Sequence, residues 1–185
     1  MLTARDVLDP VPRRVLVGGV TGAGKTTLAR RIGEILGLPH TEMDGLYHGV
    51  GWVPRPTFVE DVEAFTAEPT WVTEWQYTAV RGLLVSRADT LVWLDLPARV
   101  TLWRVLRRTL VRRARRTVLW NGNVEPPLST MIGNPDHLLR WAWRTRHSMP
   151  ERVLPLERDH PHLRIVRLRS SRDVALWLAT LARSS

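Results

Sequence analysis

Residues 18–27 read GGVTGAGKTT, and Lys25 within them is the only lysine in a chain whose 27 lysine and arginine residues are otherwise all arginine. Gly19-Val20-Thr21-Gly22-Ala23-Gly24-Lys25-Thr26 fits G-x-x-x-x-G-K-[ST], the pattern of a phosphate-binding loop. The spacing has a chemical reason. Glycines let the backbone curl until successive N–H groups point at one phosphate, and a helix beginning behind them adds the partial positive charge of its N-terminus. Lysine is a slim point charge on a flexible stem, whereas arginine's planar fork is too wide for such a loop. Lys25 therefore holds phosphates, with Thr21, Gly22, Ala23, Gly24 and Thr27 around them and the Thr26 hydroxyl offered to Mg²⁺. The competing reading is a solvated lysine in a glycine-rich turn.

Other groups capable of chemistry lie farther along. Asp44 and Glu74 each end a short expected strand, and Asp95 ends an apolar run. Asp95, in "LVWLD", has the layout of an acid at a strand's C-terminus facing a ligand crevice, or else it caps the next helix. Arg99, Arg104, Arg107, Arg108, Arg112, Arg113, Arg115 and Arg116 crowd one stretch. In "RWAWRTRH" (140–147), Trp141 and Trp143 alternate with basic residues, a combination that can stack bases, although two residues apart they cannot share a helical face. His160-Pro161-His162 lacks acidic partners for a metal and reads as a loop. No Ser-His-Asp or paired-carboxylate hydrolase arrangement stands out.

The elements that must position these groups follow from periodicity. "RVLVGG" (14–19) is a buried strand ending in glycine. Leu28, Ile32, Ile35 and Leu36 form one face of a helix starting at Lys25 and stopped by Gly37 and Pro39. A second strand is expected at 40–43, ending at Asp44. "TFVE" (57–60) reads as a capping box before a helix lined by Phe58, Val62 and Phe65. A strand at 70–74, a helix at about 80–86 and the strand "TLVWLD" (90–95) come next. An arginine-rich helix is expected at about 97–116, with Leu102, Val105, Leu106, Thr109 and Leu110 on its inner face. A loop over 117–135, a helix from Asp136 to about residue 148, the strand "LRIVRL" (163–168) and a helix opened by Ser170 and Asp173, with Val174, Leu178 and Leu181 inward, complete the chain. Strands alternating with helices imply a parallel sheet covered on both faces.

Length and composition agree with a single α/β domain over residues 1–185. The net charge of +9 draws phosphate-bearing partners. There is no cysteine, so disulfides and thiolate metal sites are excluded. No stretch approaches a membrane span, and the expected location is the cytoplasm.

The P-loop together with "MDGLYHGVGWVPRP" (43–56), "RADTLVWLDLP" (87–97), "LWRVLRRTL" (102–110), "LWNGN" (119–123) and "LLRWAWRT" (138–145) resembles the small P-loop kinase-like proteins known as adenylate kinase-related or DNA topology modulation proteins. The resemblance implies a nucleoside-monophosphate-kinase-like α/β/α fold, a five-stranded parallel sheet in order 2-3-1-4-5, and a helical lid at about 104–135. It implies ATP and Mg²⁺ as cofactors and a small phosphate acceptor. By the same resemblance Asp44 lies near substrate and metal, a turn cap being the alternative. Trp52 and Arg55 match a substrate-side loop, with packing the alternative for Trp52. Arg81 matches a substrate clamp, with a surface role the alternative. Glu74, beside the first strand, is favoured over Asp95 for magnesium, and Arg104 and Arg108 are the lid arginines that neutralise phosphate, with Arg112 behind them. The chain departs from the group at Glu74-Trp75-Gln76-Tyr77, where Asp-Gly-Asn-Tyr is common; Trp75 is expected to crowd the acceptor's approach.

Three functions follow. The first is an ATP-dependent kinase of a small nucleotide-like or anionic acceptor. The second is a nucleic-acid-associated nucleotide switch, suggested by the charge and the resemblance. The third is a nucleotide binder that has lost its chemistry, suggested by Trp75.

Overall fold

The computed structural model describes residues 1–114, 120–123 and 148–184. Five strands, β1 (Arg14–Gly19), β2 (His40–Thr41), β3 (Trp71–Glu74), β4 (Thr90–Leu94) and β5 (Arg164–Leu168), form one sheet in order β2-β3-β1-β4-β5. Every pairing is parallel. The expected fold class and strand order are those observed.

Alternation along the strands divides the core in two, because successive side chains leave opposite faces. Val15, Val17, Val72, Val92 and Leu168 face α1 (Lys25–Leu36) and the C-terminal helix through Leu28, Ile32, Trp177 and Leu181. Leu16, Trp71, Leu91, Trp93 and Ile165 face the opposite layer, including Phe58, Val62, Leu84 and Val153. That layer holds α3 (Phe58–Ala67), α4 (Arg81–Arg87) and α6 (Ser148–Val153). Both faces are covered, which is why β1, β3 and β4 are continuous apolar runs rather than alternating ones.

The chain leaves β1 toward β3 on one side and returns to β4 on the other. The reversal opens a crevice at the carboxyl end of β1, the usual ligand position in such sheets. Register brings Glu74 beside Val17, at that same end.

Several local expectations are corrected. The second strand stops at Thr41, and Asp44 lies in the first turn of α2 (Met43–Tyr47) instead of at a strand end. The reason is tertiary: the Met43 N–H donates to Glu74 Oε2 at 3.0 Å, drawing the chain away from the sheet. Thr57 precedes α3 but makes no cap; its hydroxyl donates to Asp61 Oδ2 at 3.0 Å. On α5 (Ala98–Ala114) the buried residues are Thr101, Val105 and Thr109, while Leu106 and Leu110 are exposed. The helix is turned from its expected leucine face because it rests on the phosphate loop. A short helix, α7 (Leu156–Asp159), precedes His160 and His162, and α8 (Ser171–Ser184) follows β5. The expected helix at 136–148 with Trp141 and Trp143, most of the 117–135 loop, and the side chains of Arg112, Arg113, Arg115 and Arg116 lie outside the described residues.

Candidate phosphate-transfer site

The glycine-rich segment folds as its spacing demands. Gly22 and Gly24 have φ of 81° and 97°, in the left-handed region that favours glycine, and α1 begins directly behind them at Lys25. Gly22 also has no room for a side chain, since a Cβ there would lie 2.3 Å from the Thr101 carbonyl oxygen and 2.6 Å from Val105 Cγ2. Helix α5 thus presses onto the loop. Arg104 fastens the contact, donating from Nη1 to the Ala23 carbonyl at 3.1 Å and from Nη2 to Ser171 Oγ at 3.1 Å. Gly19, Thr21, Ala23 and Thr27 complete the turn, with Ala23 buried and Thr27 exposed.

Lys25 is the electrostatic centre. Desolvation pushes its ammonium down from the ordinary lysine value; the carboxylates of Asp44 and Glu74 pull it up, and the Arg108 guanidinium pushes it down again. Lys25 thus feels the charge of two acids and of a second cation, Arg108, which stands one helical turn from Arg104 on α5.

Glu74 is fully buried. Its Oε1 lies 3.2 Å from His40 Nε2 and its Oε2 accepts the Met43 amide. Burial pushes its pKa up, but the His40 contact, the Met43 N–H and the Thr26 hydroxyl outweigh that and hold it below the ordinary carboxylate value. The Thr26 hydroxyl therefore sits against an ionised carboxylate. That pair fits a magnesium ion arriving on a nucleotide, which takes one or two protein oxygens and keeps phosphate and water oxygens for the rest. Among the described residues no group of three or more His, Asp or Glu side chains gathers as a resident metal site.

Asp95 is committed elsewhere. Its Oδ2 accepts Nε and Nη2 of Arg167 at 2.8 and 2.6 Å, and that guanidinium lies over the Trp93 ring, 4.5 Å from its centroid. Asp95 is thus paired with an arginine, whereas Glu74 meets His40 and the Met43 amide.

Asp44 Oδ1 accepts Gln76 Nε2 at 2.7 Å and the Tyr77 hydroxyl at 2.6 Å. Tyr47, His48, Phe58 and Tyr77 pack around it, with Tyr47 and Tyr77 stacked at 4.2 Å. Trp52 adjoins this cluster edge-on to His48 at 5.1 Å, and its backbone N–H donates to Asn123 Oδ1 at 3.2 Å. Arg55 is held by Asp61 at 2.9 Å and by Thr57. Arg81 lies over the Trp75 ring at 5.6 Å, its pKa pushed down by burial and by Arg152.

Trp75 packs into the core. It is buried in the core layer against Gly18, and its Nε1–H donates to the Arg81 carbonyl at 3.3 Å. Sequence reasoning missed the 120–123 segment as part of this region. Trp120 Nε1 donates to Glu42 Oε2 at 2.7 Å and Asn123 Nδ2 to the Gly49 carbonyl at 2.8 Å, so the segment lies on the turns that carry Asp44 and Trp52. The "LWNGN" motif was visible, but nothing in its composition says where it docks.

The parallel sheet in order 2-3-1-4-5 with its glycine-rich turn after β1 is an α/β fold that this chain shares with a solved shikimate kinase. A shikimate kinase from Acinetobacter baumannii in complex with shikimate is 16% identical, with 94% of this chain and 92% of that chain covered and a TM-score of 0.53. A gluconokinase from Sinorhizobium meliloti 1021 is 20% identical over 94% of this chain and 93% of that chain, with a TM-score of 0.48. A curated relative, the ATP-dependent protease ATPase subunit HslU of Campylobacter jejuni subsp. doylei, is 38% identical over 63 residues, 34% of this chain. The match spans only 13% of that relative's length. No protein-family model matches the chain.

Proposed function

We propose that the chain is an ATP-dependent phosphotransferase that moves the γ-phosphoryl group of Mg-ATP to a small, anionic or nucleotide-like hydroxyl acceptor. The observation that carries this reading is the glycine-rich turn itself: Gly22 and Gly24 lie in the left-handed region, α1 begins directly behind them at Lys25, and buried Glu74 ends β3 at the same end of the sheet. Catalysis of this kind rests on positioning and charge stabilisation. Loop N–H groups and Lys25 take the phosphate oxygens, and Thr26 backed by Glu74 takes the magnesium. Magnesium, when bound, offsets the charge of the β- and γ-phosphates. Arg104 and Arg108 close on the phosphates from α5. Asp44 is the acceptor-side acid. Trp52, Arg55 and Arg81 line the acceptor side, and Arg81 beside Arg152 supports an acceptor bearing negative charge. The resemblance to adenylate kinase-related proteins supports the same assignment. Incubation with Mg-ATP and a panel of nucleosides, nucleotides, sugars and acids, read by mass spectrometry, tests it. A phosphorylated product that is absent with Lys25→Ala supports it; equal turnover by that variant removes it.

A second reading, a nucleic-acid-associated nucleotide switch, draws on the outer face of α5. Trp103 is 63% exposed there, one helical turn from exposed Arg99 and Arg107, in a chain of net charge +9. Absence of gel-shift binding at ~150 mM salt, where non-specific electrostatic affinity has largely fallen away, removes that reading. No described helix is long and apolar enough to cross a membrane.

A further inference from the structure

The loop after β3 carries a residue whose conformation needs a reason. Tyr77 has φ of 59°, one of three non-glycine residues at positive φ among those described. A bulky side chain in that region is strained and persists only where its surroundings hold it. The surroundings are evident. The Tyr77 ring stacks on Tyr47 at 4.2 Å and meets Phe58 edge-on at 5.2 Å. The backbone thereby aims the phenol at Asp44.

The hydrogen-bond inventory assigns directions. Asp44 Oδ1 is an acceptor only, so the single phenolic hydrogen points to it across 2.6 Å, the length of a charge-assisted bond. The phenol oxygen is then free to receive from His48 Nε2, 3.3 Å away. Gln76 Nε2 donates to the same Oδ1 at 2.7 Å. Oδ2 accepts no hydrogen bond from a described residue. Asp44 is thus held by one oxygen, and its charge reaches Lys25.

We propose that Tyr77, assisted by Gln76, is a positioning residue that pins Oδ1 of Asp44 so that Oδ2 takes the hydroxyl proton of the phosphate acceptor. This rests on the phosphotransferase reading above. In the step, the acceptor oxygen bonds to the γ-phosphorus and its O–H proton passes to Asp44 Oδ2. The bond from the γ-phosphorus to the β,γ-bridging oxygen breaks, and its electron pair leaves on ADP. A freely rotating carboxylate would offer this oxygen only part of the time, and could swing against Lys25 instead. The loop that follows Glu74 therefore sets two acids at once: Glu74 beside Thr26, and Asp44 through the next residues but one. Burial and the Asp44 charge hold the Tyr77 phenol well above its ordinary pKa, so it keeps the hydrogen it donates.

A double-mutant cycle with Tyr77→Phe and Asp44→Asn tests the proposal. Phenylalanine keeps the stack on Tyr47 and removes only the hydroxyl. The probe reaction is release of inorganic phosphate from Mg-ATP, with water in the acceptor's place, followed by any acceptor found in the panel. Tyr77→Phe is expected to lower kcat about 10- to 100-fold, as loss of an oriented acid–base group does, with the KM for Mg-ATP changed less than about twofold. In the Asp44→Asn background the same change should lower kcat no further, because its effect passes through Asp44. Full kcat in Tyr77→Phe, or losses that multiply in the double variant, overturns the positioning role while leaving the phosphotransferase reading intact. A wild-type protein that binds Mg-ATP yet transfers phosphate to neither water nor any acceptor refutes that reading and the positioning role with it.

Discussion

Replacing Gly22 by alanine separates two costs that most glycine substitutions confound. At Gly22 the backbone is left-handed, with φ of 81°, and the new methyl would lie 2.3 Å from the Thr101 carbonyl oxygen. At Gly37 the backbone is also left-handed, with φ of 65°, but nothing lies within 4 Å of a Cβ. Gly37→Ala should therefore show the backbone cost alone, about 1–2 kcal/mol. Gly22→Ala adds the displacement of α5, an overpacking term of about 1–3 kcal/mol, for a total of about 2–5 kcal/mol. For a chain of this length each kcal/mol lowers Tm by about 2–4 °C, giving about 2–8 °C for Gly37→Ala and about 4–20 °C for Gly22→Ala. Thermal unfolding with and without Mg-ATP is the assay. The nucleotide should raise Tm in wild type and in Gly37→Ala and fail to do so in Gly22→Ala, whose loop no longer curls beneath α5. If Gly22→Ala loses no more stability than Gly37→Ala and keeps its response to nucleotide, the packing of α5 on the loop is refuted.

Lys25→Met should raise the Tm of the nucleotide-free protein by a few degrees and abolish its response to Mg-ATP. The folded pKa of Lys25 is lowered, so below the unfolded value of 10.5 the buried charge costs stability, and methionine removes that cost; a lower Tm in the variant contradicts this. The folded pKa of Glu74 is also lowered, so its contribution to stability is full above the unfolded value of 4.5 and fades as pH falls through the folded one. Urea midpoints of wild type and Glu74→Gln should accordingly differ at pH 6 and converge toward pH 3. Trp75→Ala should cost about 3–5 kcal/mol through the cavity it leaves and should not raise turnover; a faster, equally stable variant would restore the tryptophan to the acceptor's path. Arg104→Ala should weaken nucleotide affinity more than Arg107→Ala, because Arg104 alone of the two ties the loop to Ser171; equal affinities by calorimetry argue against that tie.

Local spacing carries much of this protein. The glycine–lysine–threonine run between an apolar strand and an amphipathic helix requires only short-range physics, and the loop, the strand before it and the helix after it stand where periodicity puts them. The parallel sheet follows from alternation of strands and helices. Its strand order was implied by the resemblance rather than by any period, since order in a sheet is a property of long-range pairing.

Tertiary structure decided the rest. Asp44 sits in a helical turn because Glu74 captures the Met43 amide, a contact between residues 31 apart in the chain. The buried face of α5 is threonine and valine instead of leucine because the phosphate loop, and not the sheet, is what it covers. Asp95 and Glu74 look alike in sequence, each an acid ending a strand, yet an arginine on the neighbouring strand neutralises one while a histidine, an amide and a hydroxyl surround the other. Sequence alone determined which groups were available and that Lys25 opens a helix behind a glycine-rich turn. Which acids surround Lys25 depended on register and packing, because an acid's partners come from elements that only the folded chain brings together.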